Sequence, residues 1–280
     1  MKEFKNVNSI ENREAIAGRV LDSTGRNSMF NANEVESVRV NYGELTQKGV
    51  QDAVVTVKFG PKSTIMAVYT PVDGKYEYVG EIGYFYDVGN IKFLQPGKNG
   101  LEIVAFKEKN NQTAGALENN SFTRTYGYDD GKFQNLLNID ENIETWWTDT
   151  VYRDNNSQTW YKITQTSNIQ KSDDDRSVEA VKTQIYYVAE DYNKNGIPDE
   201  EEFSELGRRS VKELYYWDDS WERFILDEAT EKATDKNVAV IQDYGYSPYV
   251  LTGDEFDKYR ILRRDGTSEI VDYDALKFEK

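Results

Sequence analysis

The chain has 280 residues, with 34 Lys and Arg against 50 Asp and Glu and a formal net charge of -16. Nucleic acid is excluded as the main partner, because phosphate backbones are held by clustered positive charge, which is scarce here. Neither His nor Cys occurs, which removes ordinary zinc sites, Ser-His and Cys-His nucleophiles and disulfides, so a bound metal should be a hard cation held by oxygen.

The N-terminal stretch MKEFKNVNSIENRE is polar, with no apolar segment of a secretory leader, and no transmembrane segment is expected along the chain. Residues 1–33 read as a helix and a loop, with Ser9 as N-cap and Ile10, Ala15, Ile16 and Val20 on one face. From residue 34 to 280 the texture is that of strands. Val38–Asn41, Ala53–Phe59, Thr64–Tyr69, Lys75–Val79, Ile91–Leu94, Leu101–Phe106 and Ser121–Tyr128 are short β-branched or aromatic runs punctuated by Gly, Asp and Pro.

Three turn regions align without gaps: Tyr69–Tyr76, Tyr126–Phe133 and Tyr215–Glu222. In each, an aromatic precedes an Asp-containing turn and another aromatic follows it, as in a hairpin with paired aromatics. Upstream, Gly49–Ala53 matches Gly196–Glu200, with Gly100–Ile103 as a weaker copy. A unit near fifty residues thus repeats, with room for about five, and 141–178 and 235–274 are the poorest copies. The predicted fold is mainly β, built of repeated antiparallel multi-strand units, either β-propeller-like or two tandem β domains, with a short N-terminal helix. The charged run Gln170–Arg176 reads as an exposed loop, or as a linker dividing the repeat domain near 170–178.

Residues 191–202, DYNKNGIPDEEE, fit the spacing of an EF-hand-type calcium loop. Asp191, Asn193, Asn195, the Ile197 carbonyl, Asp199 and Glu202 fall at the six ligand positions, and Gly196 falls where the backbone turns sharply. Alternate side chains of such a loop converge on one ion while Tyr192 and Lys194 face water. The bland reading is an Asn-Gly turn followed by an acidic helical turn. The motif resembles the calcium loops of dockerins and thrombospondin type 3 repeats, and the repeated G-[IV]-x-D before a strand resembles the FG-GAP/VCBS blades of integrin-like β-propellers. The resemblance implies an exported or surface-attached bacterial protein in which calcium is structural. The matching loop of the first unit, Glu44 to Asp52, has Lys48 at a ligand position, so no ion is expected there, the ammonium standing in for the metal's charge.

Trp146, Trp147, Trp160, Trp217 and Trp221 are candidates for a sugar-stacking surface, although strand alternation places at least one member of each aromatic doublet in the core. No pair of carboxylates is singled out by spacing, and no P-loop or dinucleotide fingerprint is present. The sequence therefore points to a non-catalytic, calcium-stabilised β-repeat domain, extracellular or on the cell surface, that binds a polysaccharide or a surface protein. A protein–protein assembly module and a carboxylate-based glycoside hydrolase are the alternatives. A leader upstream of Met1 ending in a lipidated cysteine would make it a lipoprotein.

Overall fold

The computed structural model describes residues 4, 7, 9–60, 62–112, 117–148, 158–192, 196–253 and 256–278. Helix α1 (Ile10–Thr24) starts at Ser9, whose Oγ accepts the Asn12 N–H at 3.3 Å, and stops at Gly25, which takes the left-handed conformation (φ 68°). Its buried residues are Ile16, Ala17, Val20 and Leu21. Ile10 is 65% exposed and Ala15 is exposed as well. The apolar stripe therefore begins a turn later than the sequence reading placed it.

Strands β1 (Ser37–Gly43), β2 (Asp52–Lys58), β3 (Thr64–Val72) and β4 (Lys75–Phe85) form an antiparallel meander. The helix covers one face, packing with Ala53, Val55, Val57, Ile65, Ala67 and Tyr69. The other face buries Val54, Met66, Val68 and Ile82 with Val104 and Phe106. Coverage on both faces explains why β2 and β3 read as continuous apolar runs without alternation.

Next come β5 (Asp87–Val88), β6 (Lys92–Leu94), β7 (Ile103–Gln112), β8 (Leu117–Asp129), β9 (Lys132–Thr148), β10 (Gln158–Lys171), β11 (Ser177–Tyr192), β12 (Ser204–Asp218) and β13 (Arg223–Ile225). They hydrogen-bond in the order β5-β7-β8-β9-β10-β11-β12-β13, with β6 also on β7. The last sheet comprises β14 (Asp227–Glu231), β15 (Lys236–Asp243), β16 (Lys258–Leu262), β17 (Ser268–Asp272) and β18 (Leu276–Lys277), in the order β17-β16-β15-β14-β18. The chain is thus mainly β with antiparallel sheets and one helix near the N-terminus. It divides into two compact units, 1–110 with 123–138 and 111–122 with 139–280. This is the tandem arrangement. Among the described residues, no helix is long and apolar enough to cross a membrane.

The division does not fall at 170–178. Residues 172–176 are the turn joining β10 to β11, where Asp174 Oδ1 accepts the Arg176 N–H at 3.1 Å. Two of the three aligned turns share one geometry: Asp73-Gly74 (φ 48° and 81°) and Asp130-Gly131 (φ 44° and 81°) are positive at both central positions, as in a type I′ hairpin turn. The third differs. Its loop spans 219–222, and Asp218 Oδ1 accepts the N–H groups of Ser220 (2.7 Å) and Trp221 (3.1 Å).

In the C-terminal unit several buried positions of β10–β12 are polar. Gln184 Nε2 donates to Gln165 Oε1 and to the Tyr246 carbonyl, both at 2.7 Å, and Gln165 Nε2 donates to the Asp140 carbonyl at 2.7 Å. Lys182 Nζ pairs with Glu213 Oε1 at 2.7 Å, and the Tyr215 hydroxyl donates to Glu213 Oε2 at 3.2 Å. Burial raises the Glu213 carboxyl despite its two donors. Every member found a partner, the condition under which buried polar groups are tolerated.

The loop from Glu44 to Asp52 is closed by its own carboxylates. Asp52 is fully buried, and its carboxylate accepts the N–H groups of Leu45 (3.1 Å) and Thr46 (2.8 Å) and the Thr46 hydroxyl. Glu44 Oε2 accepts the Gly49 N–H at 2.8 Å. Lys48 runs against Gly100, and the loop's inward donors are backbone N–H groups that the carboxylates satisfy directly. Asp52→Ala should destabilise the N-terminal unit by roughly 1–3 kcal/mol by leaving those N–H groups without an acceptor. Urea unfolding checks this, and Asp52→Asn should retain part of the loss; equal midpoints for wild type and Asp52→Ala would refute the role.

Candidate functional site

At the end of the β10–β11 ladder Trp160 pairs with Ala189 and Gln158 pairs with Tyr192. Two residues of β10 thus span three of β11, a β-bulge that bends the chain into the 191–202 loop. Asp191 is the penultimate residue of the strand, of which the backbone is described; Asn193 and Asn195 lie outside the described residues. Gly196 has φ 102°, the conformation that a calcium loop asks of its glycine. Pro198 is buried, while Ile197 and Asp199 are exposed.

Asp199 is extended and precedes a 3-10 turn, Glu200–Glu202. Its N–H donates to Glu202 Oε2 at 2.9 Å, and the Glu202 N–H donates to the Asp199 carbonyl at 2.9 Å. The described half of the loop therefore offers the required glycine, the Ile197 backbone and two carboxylates on one turn, an oxygen set suited to a hard cation. Among the described residues, no three carboxylates converge as a formed cage.

The loop's far side is fastened by Lys162. This side chain is 4% exposed, and its Nζ pairs with Glu144 Oε1 at 3.0 Å and with Glu200 Oε1. It lies 5.2 Å from the ring of Trp146, 5.8 Å from Phe203 and 5.9 Å from Tyr187. Burial by itself lowers the ammonium pKa, but the two carboxylates reverse the sign and hold it above its ordinary value. Trp160 belongs to the same face by alternation along β10. Its indole Nε1 is buried without an acceptor among the described residues.

On the opposite face of the same strands stand Trp147, Tyr161 and Tyr186. Trp147 and Tyr161 are cross-strand partners. Their ring centroids are 5.7 Å apart, with Tyr186 at 6.2 Å and 6.0 Å, and the three rings lie 9° to 24° from parallel. All three are half-buried, and burial raises the Tyr186 phenol, with Tyr161 adding to it. The Trp146-Trp147 doublet is thus split between two faces, as alternation requires, but neither ring is fully in the core.

Trp217 and Trp221, candidates from the sequence, are core residues at 6% and 8% exposure. Trp217 packs edge-on against Phe224 at 5.4 Å, and the Arg264 guanidinium covers the Trp221 ring at 3.5 Å. Neither presents a face to a ligand. Sequence reasoning missed Lys162, Tyr186 and Tyr187 as members of the two clusters. Only the cross-strand register brings them together, and no local pattern encodes it.

Compared with models of known protein families, with curated proteins and with solved structures, the chain matches none.

Lys162→Met should lower the urea midpoint at neutral pH, since it leaves Glu144 and Glu200 facing aromatic rings. A raised ammonium pKa contributes stability that is complete below the unfolded value, about 10.4, and is lost as pH rises through the folded value. The deficit should therefore hold constant from pH 6 to 9 and close only above about pH 10.4; a deficit that closes near neutrality would contradict the pairing.

Proposed function

We propose that the chain is a non-catalytic, calcium-stabilised β domain of an extracellular or cell-surface protein, and that it binds polysaccharide. The ion would be held by Asp191, Asn193, Asn195, the Ile197 carbonyl, Asp199 and Glu202. The observation that carries the reading is a juxtaposition. An oxygen-rich loop with its glycine at φ 102° leaves a bulge in β11, and Lys162 ties its exit to strands whose other face bears the Trp147, Tyr161 and Tyr186 rings. Such rings offer apolar faces to pyranose C–H groups, and the −16 charge suits an uncharged ligand better than a polyanion.

Calcium would have to take Glu202 from the Asp199 N–H, so binding and loop ordering are coupled. Three carboxylates and two amides give a modestly charged site, with an affinity of roughly 10⁻⁵ to 10⁻³ M, in the range of extracellular modules. Binding to the folded loop alone would add about 1.4 kcal/mol at ten times the dissociation constant.

Two outcomes test the reading. The melting temperature should rise with millimolar calcium in wild type and stay flat in Asp191→Ala/Glu202→Ala; an equal rise in the double variant would exclude the loop as the site. In affinity gels, soluble plant or cell-wall polysaccharides should retard the wild type, and Trp147→Ala/Tyr186→Ala should migrate freely at an unchanged melting temperature. Equal retardation of both, or of neither, would remove the aromatic cluster from the binding surface.

A further inference from the structure

A half-open cleft of about 260 Å³ lies in the C-terminal unit, lined by Tyr246, Tyr259 and Phe278 together with Asp227, Asp243 and Lys212. The aromatic wall is held by packing: Tyr259 meets Phe278 edge-on at 5.6 Å and lies 4.3 Å from Tyr273. The Asp243 carboxylate accepts the Gly245 N–H at 2.8 Å and the Tyr273 hydroxyl, and Asp227 accepts the Glu228 N–H at 2.8 Å.

The charges in this cleft do not balance. Lys212 is already held by Glu179 at 2.6 Å. Among the described residues, neither Asp227 nor Asp243 forms an ion pair. The Arg209 guanidinium, whose field reaches Asp243, donates instead to Gln184 Oε1 and to the Ser247 carbonyl. Burial first, then the negative charges of Asp243 and Asp227 among its neighbours, pushes the Tyr259 phenol up. Both carboxylates thus act on the same ring. Aromatic faces attract cations through their quadrupole, and the two carboxylates do so by charge, so one kind of guest satisfies both.

We propose that this cleft binds an organic ammonium, a primary or methylated amine on a short apolar stem. The cation sits between Asp227 and Asp243, and the stem packs on Tyr246, Tyr259 and Phe278. This site is separate from the calcium loop and uses none of its residues.

The test is titration of the intact chain with n-butylammonium or tetramethylammonium, followed by nuclear magnetic resonance, with butyrate and n-butanol as matched controls. Saturable binding is expected, with a dissociation constant on the order of 1 mM, and with butyrate and butanol weaker by about 10-fold or more. Asp227→Asn, an exposed position that the fold tolerates, should weaken ammonium binding by about 3- to 10-fold at unchanged melting temperature. Asp227→Asn combined with Tyr259→Phe should leave residual binding through the ring face, because the quadrupole survives loss of the hydroxyl. Absence of saturation, butyrate or butanol binding as tightly as the ammonium, or an Asp227→Asn variant that binds like wild type would each overturn the proposal.

Discussion

One ammonium group determines how the candidate calcium loop meets the rest of the molecule. Lys162 is taken out of water onto the rings of Trp146, Tyr187 and Phe203 and compensated by Glu144 from β9 and Glu200 from the loop's exit. Burying a charge is tolerated only with such partners, and removing one leaves the other stranded. The loop's exit is thereby linked to the sheet through Glu200. Its entrance is set independently by the bulge between Ala189 and Tyr192. Between these ends Gly196 takes a positive φ of 102°, a conformation open to glycine.

The loop of the first unit shows how such a turn can satisfy its own polar groups. A tight loop turns polar groups inward, and something must satisfy them. In the first unit the carboxylates of Asp52 and Glu44 accept backbone N–H groups, so the loop closes on itself. In 191–202 the Gly-Ile-x-Asp element is kept, but the preceding side chains are Asp191, Asn193 and Asn195 in place of Glu44, Thr46 and Lys48. That sequence carries one carboxylate and two amides where the first unit has a carboxylate, a hydroxyl and an ammonium.

Much of the fold is legible in the sequence. Ser9 and Gly25 punctuate the helix, and Asp-Gly at 73–74 and 130–131 dictates turns that only residues tolerant of positive φ enter. The apolar runs of β2 and β3 are continuous because both faces are covered. The C-terminal unit was harder to read. Its buried positions include Gln165, Lys182, Gln184 and Glu213, which pair across strands and interrupt the apolar alternation that marks a half-buried sheet. The stretch 141–178, read as a degraded copy, holds the end of β9 and all of β10. The charged run at 170–176 is likewise no linker, since its side chains cap the backbone of the hairpin turn they occupy. Tryptophan doublets carried no information on which ring faces outward, because depth depends on what packs above each strand. Trp217 and Trp221 lie under Phe224 and Arg264, whereas Trp147 stands beside Tyr161.

Hydrogen exchange with and without millimolar calcium tests the central claim most directly, because it reads the loop rather than the whole molecule. An oxygen cage between 191 and 202 predicts slowed exchange confined to the amides of 191–203 and the facing end of β10, with α1 and β1–β4 unchanged. Exchange in that segment unaffected by calcium, or protection spread evenly over both units, would contradict it.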